Sequence, residues 1–273
     1  MIRVVLYDFG LAHRYYHATD SAEKTTRAVK ADVATYGTEA ADVIVCVDKR
    51  NEAGHYWRQR LDPAYKDRPR DPVKDAALKN VRAALAADGV RLASSPGNEA
   101  DDVIATLCLR APPEVECVVH TADHDMIQLA GKRVRVILHQ GAANVDADAD
   151  YCLRNYRVHP TRLADLLAIA GDAGDNVKGI PGIGLDGAAD LLEMFASPEE
   201  AIAAAAAGKP LPPGFGKVKR ELLAGGLDAM KLARRLVDLN DSEARAQGIP
   251  GIAAAMPRAM RMISAMRLRR MPA

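Results

Sequence analysis

Short runs of apolar, largely β-branched residues recur along the first half of the chain, and each one stops at an acid. Residues 2–7 lead to Asp8, residues 43–47 to Asp48, and residues 116–121 to Asp123 and Asp125. Runs of this length without polar alternation fit strands covered on both faces, as in parallel sheets. Between them the apolar spacing turns helical over residues 21–36, 73–88 and 99–109, the last two stopped by Gly89 and Pro112. A short helix is expected over 125–130 and a further strand over 133–139. Alternating strand and helix patterns predict an α/β domain around a mostly parallel sheet. Prolines at 63, 69 and 72 argue against regular structure across 50–72. From about residue 160 strand-like runs disappear. Helical segments at 163–170 and 185–195 flank the glycine-rich stretch GDAGDNVKGIPGIG, and further helical segments follow, one of them alanine-rich. This half predicts a small all-α domain.

The acids change the picture from architecture to chemistry. Nine carboxylates are singled out: Asp8, Asp48, Glu99, Asp101, Asp102, Asp123, Asp125, Asp172 and Asp175. Open α/β sheets bind ligands at the carboxyl ends of their strands, so acids ending three neighbouring strands would converge. Two carboxylates about 4 Å apart repel by roughly 4 kcal/mol at an effective dielectric near 20. Such a cluster protonates or takes up divalent cations. An all-oxygen donor set favours Mg²⁺ or Mn²⁺ over zinc. His120 and His124 do not form a zinc motif, because HTADH lies at a strand end and has no Glu between the two histidines. Each acid alone also fits a turn or cap. Asn98 with Asp101, for example, is spaced as an N-cap and its reciprocal partner. Capping, however, gives no reason for three successive buried strands to end in acid.

Length and charge fit this reading. The 273 residues suffice for one large domain or for a large and a small one. No apolar run approaches the ~20 residues of a membrane span, and the immediate entry into a strand leaves no signal peptide to expect. Cys46, Cys108, Cys117 and Cys152 lack CxxC spacing and read as buried thiols of a reducing, cytoplasmic compartment. The net charge of +1 hides an asymmetry. With the nine acids set aside, 37 basic residues face 27 acidic ones. A negative pit in a positive body suits a polyanion cut at the pit. From Ala244 onward there are six Arg and no acid, consistent with a basic amphipathic helix or a solvated tail.

The stretch GIPGIG lies between two helices. It is therefore neither a dinucleotide fingerprint, which follows a strand, nor a phosphate loop, which carries GK[ST]. It would expose backbone N–H groups at a helix start, where a phosphate is held without reading a base.

Together these residues resemble the bacteriophage-type 5′→3′ exonuclease and flap endonuclease family, and the 5′-nuclease domain of bacterial DNA polymerase I. Asp8, Leu11 and Arg14 match its strand-ending Asp and Leu-x-x-Arg. Asp48, Arg58, Tyr65 and Lys66 match the second block. E-A-D-D-V stands at residues 99–103, T-x-D-x-D-x-x-Q-L at 121–129, and G-D-x-x-D-N-x-x-G-x-x-G-I-G at 171–184. The resemblance implies a PIN-like nuclease domain over 1–160 with an arch at about 50–90, a helix-three-turn-helix domain over 161–243, and a basic tail over 244–273. It implies a monomeric, structure-specific 5′-nuclease that hydrolyses DNA at 5′ flaps, nicks or free 5′ ends with two Mg²⁺ or Mn²⁺ ions and no small-molecule cofactor, in a bacterial or phage-infected cytoplasm. Asp8, Asp48, Glu99, Asp101 and Asp102 would surround one ion, and Asp123, Asp125, Asp172 and Asp175 the other. Lys66 would face the scissile phosphate, and Tyr65 would stack on the terminal base, with Trp57 a second stacking candidate. Arg14, Arg58, Arg68, Lys217, Lys219 and the turn residues Gly179, Ile180, Gly182, Ile183 and Gly184 would bind DNA, with a K⁺ ion at the turn. Three departures stand out. The loop after Asp8 is one residue short, Tyr65 and Arg68 stand closer than usual, and Asp186 occupies a place where relatives carry Lys. A PIN-type ribonuclease and a non-catalytic DNA-binding module are the alternative readings.

Overall fold

The computed structural model describes residues 1–141, 143–240 and 252–268. It divides into two compact units. The first comprises residues 1–56, 69–147 and 240–273, and the second residues 57–68 and 148–239. Residues 57–68, which fall within the expected arch, thus belong with the helical unit.

The first unit is built on a six-stranded sheet: β1 (Ile2–Asp8), β2 (Asp42–Cys46), β3 (Leu92–Ala93), β4 (Val115–Thr121), β5 (Val134–Gln140) and β6 (Ala143–Asp146), in the order β3-β2-β1-β4-β5-β6. Only β6 runs antiparallel. The strand order reverses direction between β1 and β4, the point at which such sheets open a crevice at their carboxyl ends. Val4, Leu6, Ile44, Val45, Cys117 and Val119 are fully buried, as apolar runs without alternation require. All four cysteines are buried free thiols.

Helices Gly10–Thr19, Ala22–Gly37, Pro72–Ala87 and Ala100–Arg110 accompany the sheet. Pro72 does not disorder its segment. It occupies the first turn of Pro72–Ala87, where no N–H is needed, and Asp71 caps that turn by accepting from the N–H groups of Val73 and Lys74. The short helix expected over 125–130 is the 3₁₀ helix His124–Leu129.

Part of the basic tail is helical. Helix Pro257–Leu268 packs on β1 and β2, burying Ala259 and Ile263. The Ala259 N–H donates to the buried Asp42 carboxylate at 2.8 Å, and Arg267 pairs with Glu114. The tail's residues 244–251 and 269–273 lie outside the described residues.

Behind the strand ends lies a polar network. Tyr7 and Tyr15 both donate to Asp32, at 2.9 and 2.7 Å. Tyr36 stacks on His120 at 3.9 Å between centroids, and the His120 Nδ1 stands 3.0 Å from the His139 Nε2. Burial, with help from the His139 and Arg135 charges, lowers the His120 pKa to about 3.

The second unit contains helices Trp57–Leu61, Ala149–Tyr156, Leu163–Ala170, Leu185–Met194, Pro198–Ala206, Lys217–Ala224 and Leu227–Val237. It is not strand-free, since β7 (Gly171–Asp172) and β8 (Val177–Lys178) form a two-residue antiparallel pair. Glycine permits it. A β-carbon on Gly171 would come within 2.6 Å of the Gly179 nitrogen, and one on Gly179 would meet the Gly171 nitrogen and the Ile169 carbonyl.

A histidine held neutral by burial stabilises the fold fully above pH 6.5 and progressively less as pH falls toward 3. Each unit of that window is worth about 1.4 kcal/mol, so His120 alone should remove roughly 2 kcal/mol between pH 6.5 and pH 5. His120→Phe keeps a ring against Tyr36 but has no proton to take up. Urea titrations at pH 7.5 and pH 5 should show a smaller acid loss in the variant, whereas an equal loss would show that His120 is not the group responsible.

Candidate active site

Asp8 ends β1 beside Thr121 at the end of β4. Its carboxylate is 7% exposed and accepts the Gly10 N–H at 2.7 Å and the Thr121 hydroxyl at 2.7 Å. Burial raises its pKa to about 6 against those two donors, and the Asp123 and Asp48 charges push the same way. A β-carbon at residue 10 would stand 3.0 Å from both carboxylate oxygens, so the shortened loop after Asp8 depends on glycine there. Thr121 also accepts the Asp123 N–H at 2.9 Å, and Asp123 accepts the Asp125 N–H at 2.9 Å. One hydroxyl therefore joins Asp8 to the Asp123–Asp125 turn. Thr121 is quoted in the sequence motif, but its bridging role, like that of Gly10, appears only in the structure.

Asp48 follows β2 and accepts the Ala100 N–H at 2.7 Å. It thereby ties the second strand to the start of helix Ala100–Arg110. The cap of this helix is Glu99 with Asp102, one residue later than the expected Asn98 with Asp101. The Glu99 N–H donates to Asp102 at 3.1 Å, while Asn98 turns back onto Ser95. Asp101 accepts the Asp102 N–H at 2.6 Å. One ligand oxygen from each of Glu99, Asp101 and Asp102 lies within 4.8 Å of the others. That spacing, with Glu99 and Asp102 buried, fits a divalent cation held by oxygen. Seven of the nine expected acids are thus carried by the first unit.

Asp172 and Asp175 are carried by the second. Asp172 accepts the Gly174 N–H at 2.8 Å. Asp175 accepts the Tyr65 hydroxyl at 3.1 Å and pairs with Lys66 at 3.0 Å and Arg68 at 3.3 Å.

Two expected DNA contacts are corrected. Arg58 is 1% exposed; its Nε donates to the Leu236 carbonyl at 2.8 Å, and its guanidinium lies over the rings of Trp57 and Tyr65. It is a packing residue of the helical unit. Tyr65 is also 1% exposed, with its hydroxyl on Asp175, so its ring offers no face for a base to stack on. Arg14 is exposed and donates to the His139 carbonyl. Lys66 and Arg68 keep partial exposure.

In the glycine turn, Ile180 and Ile183 are buried anchors whose N–H groups serve the protein itself, donating to the carbonyls of Ile169 and Ile180. Gly182 has φ +76°, and Gly184 caps helix Leu185–Met194 without a side-chain bond. Asp186 is exposed in the first turn of that helix. Lys217 and Lys219 are exposed at the start of helix Lys217–Ala224, Lys219 lying over the Phe215 ring.

Residues 4–157 match the model of the 5′-3′ exonuclease N-terminal resolvase-like domain, and residues 158–253 that of the 5′-3′ exonuclease C-terminal SAM fold. A 5′-3′ exonuclease of Mycoplasmopsis pulmonis is 30% identical over 193 residues, covering 70% of this chain and 63% of that protein. The flap endonuclease Xni of Edwardsiella ictaluri is 33% identical over 159 residues, covering 57% of this chain and 62% of the relative. The matched region therefore spans less than two thirds of either relative's length. Among solved structures, a T5 5′-exonuclease described with bound divalent metal ions (zinc) aligns over 98% of both chains with a TM-score of 0.74 at 20% identity, a likeness of fold. With both halves matched in order by models of one family, this chain belongs to the 5′-3′ exonuclease family.

Proposed function

We propose that this chain is a divalent-metal-dependent 5′-nuclease that hydrolyses DNA phosphodiester bonds near 5′ ends and single-strand/duplex junctions. The observation that carries the reading is the convergence of Asp8, Asp48 and Asp123 where the strand order reverses, close enough for their charges to act on one another. A protein with no use for cations would gain nothing from burying a carboxylate that ionises only near pH 6. The names of the relatives, 5′-3′ exonuclease and flap endonuclease, support the same reaction.

Glu99, Asp101, Asp102, Asp48, Asp8, Asp123 and Asp125 are the proposed ligands, and hard oxygen donors favour Mg²⁺ or Mn²⁺. Ions bound there would acidify water and place positive charge against the attacked phosphoryl group. Thr121 and the Gly10 N–H fix the direction of the Asp8 oxygens. Glu99 and Asp102 are fixed by their own helix cap. Lys66 is the proposed cation for the scissile phosphate, where a positive charge acts mainly in the transition state. The 179–184 turn, with its left-handed Gly182 and the helix start at Leu185, is the proposed seat of a duplex phosphate and of a K⁺ ion. Among the described residues no helix is long and apolar enough to cross a membrane.

A 5′-flap DNA labelled at both ends, incubated with Mg²⁺, should yield short 5′ products, and EDTA should stop cleavage while duplex binding persists. Full-rate cleavage in EDTA, or preference for single-stranded RNA, would sink the proposal.

Asp8→Asn should abolish turnover yet stabilise the metal-free fold. An acid whose folded pKa is raised stabilises most when protonated, below pH 3.8, and loses that contribution as pH rises through 6. Removing the charge should restore up to about 3 kcal/mol at pH 7.5, because Asn still accepts from Gly10 and donates to Thr121. A chemical-denaturation series in EDTA checks it. A variant that is less stable than the parent would show Asp8 to be a structural acid.

Asp186→Lys should tighten duplex binding and steepen the log–log salt dependence by about one unit, as one more phosphate contact would. An unchanged slope would place residue 186 away from the DNA.

A further inference from the structure

We propose that the seam between helices Gly10–Thr19 and Pro72–Ala87 is a docking track for the phosphates of single-stranded DNA, with Arg82 as its inner contact; for its ligand this rests on the proposed function above. Both helices belong to the first unit and pack on one another. Lys74, Leu78 and Arg82 follow at four-residue spacing and so share one face of the second helix. Leu78 is buried, and the two cations stand half-buried on either side of it, about 12 Å apart along the axis. His13 and His17 have the same spacing on the first helix. The Lys74 Nζ stands 2.7 Å from the His17 Nε2, and since an ammonium group only donates, the imidazole is the acceptor. His13 feels both cations. Burial first, then Lys74 and Arg82, lower its pKa to about 4, with His17 adding to the shift and Asp75 opposing it. The seam is therefore one continuous cationic strip.

Arg82 joins the strip to the acids. Its Nη1 donates to the Asp48 carbonyl at 3.1 Å, and its guanidinium lies over the Phe9 ring, 5.7 Å from the centroid. Phe9 directly follows Asp8. The arginine is thus fixed by the main chain of one proposed metal ligand and by the neighbour of another, while its charge is left over. Among the described residues neither Arg82 nor Lys74 pairs with an acid, and the acids Asp75 and Asp88 of that helix and its C-cap are taken by Arg70 and Lys30. A guanidinium presents several N–H donors in a fixed fork, of which the Asp48 carbonyl uses one. The others suit the oxygens of a phosphodiester, and an anion there relieves the repulsion between unpaired cations. The ligand is a single strand for two reasons. The inner end of the strip lies at the acids, where the proposed cut is made. Arg82 is also half-buried between helices, where a flexible strand can follow but a stiff duplex cannot bend. Contacts of this kind hold phosphate without reading a base.

The test reads binding without cleavage. A fluorescein-labelled oligothymidylate is titrated with the whole protein in EDTA, and anisotropy gives its Kd across a salt series. Arg82→Gln, which keeps an amide donor for the Asp48 carbonyl, and Lys74→Gln should each reduce the steepness of the log–log salt dependence by about 0.7, and the double variant by about 1.4, the value for lost contacts to single-strand phosphates. Arg82→Lys keeps the charge and should keep the slope. Arg27→Gln, which breaks the exposed pair with Glu23, should leave it unchanged. A duplex closed by a loop at each end should bind the double variant with the parent's slope. An unchanged slope with oligothymidylate in the double variant overturns the track, and an equal loss of slope on the closed duplex overturns the assignment to a single strand. Should Arg82→Gln fail to fold, Lys74→Gln decides alone, by the same loss or its absence. Slopes that fall as stated support the track even where flap DNA with Mg²⁺ goes uncut, an outcome that counts against the nuclease reading only.

Discussion

Taking a carboxylate out of water costs several kcal/mol unless something compensates it, and Asp8 sits 7% exposed at the end of the central strand. Much of the first unit can be understood from that constraint. The Thr121 hydroxyl and the Gly10 N–H recover part of the cost, which is why the loop after β1 must turn sharply and why glycine stands in it. Parallel pairing of β1 with β4 aligns Tyr7 with His120, and so brings Thr121 level with Asp8. What the two donors leave uncompensated is a site poised for positive charge, and a divalent ion is the natural occupant.

The same economy governs the helix that follows Glu99. Glu99 and Asp102 satisfy the first N–H groups of helix Ala100–Arg110, and Asp48 satisfies another from the next strand over. A helix N-terminus carries partial positive charge, so three acids gathered there repel one another less than they would elsewhere. Capping and the proposed metal binding therefore call for the same arrangement, and seeing the cap in the sequence does not weaken the case for a cation site. In the helical unit a single acid, Asp175, gathers opposite charges instead of like ones, pairing with Lys66 and Arg68.

Much of this was legible in the sequence for reasons that can be named. Strands β1, β2 and β4 are almost wholly buried, and their apolar runs show it; β5 buries only Val136 and Leu138 and is legible from its alternation of apolar and polar residues. β3 is two residues long and β6 is an exposed edge strand, and neither bears a pattern. Helix Gly10–Thr19 carries no such signal, because its N-cap position is held by Phe9 with no side-chain bond and its His and Tyr residues give little apolar rhythm. Asp8, Asp48, Asp123 and Asp125 are conspicuous in the sequence because they follow apolar strand runs. The burial of Arg58 and Tyr65 is hidden from the sequence for an equally physical reason. In a proline-rich, basic stretch they read as surface residues, and nothing local shows that the carbonyl receiving Arg58 lies 178 residues away. Contacts of that range belong to the fold alone.

Helix Pro257–Leu268 has a consequence for the order in which the chain is put together. The first unit is interrupted by residues 148–239 and resumes only afterward. During synthesis, β1 and β2 are made long before the helix that covers them. Until its arrival the Asp42 carboxylate waits without the Ala259 N–H, and an apolar stretch of sheet is open to solvent. The helical unit, bounded by residues 57–68 on one side, has by then emerged whole. The nascent protein therefore passes through a stage with its helical unit complete and one stretch of β1 and β2 still uncovered, when unshielded strands are most exposed to wrong partners.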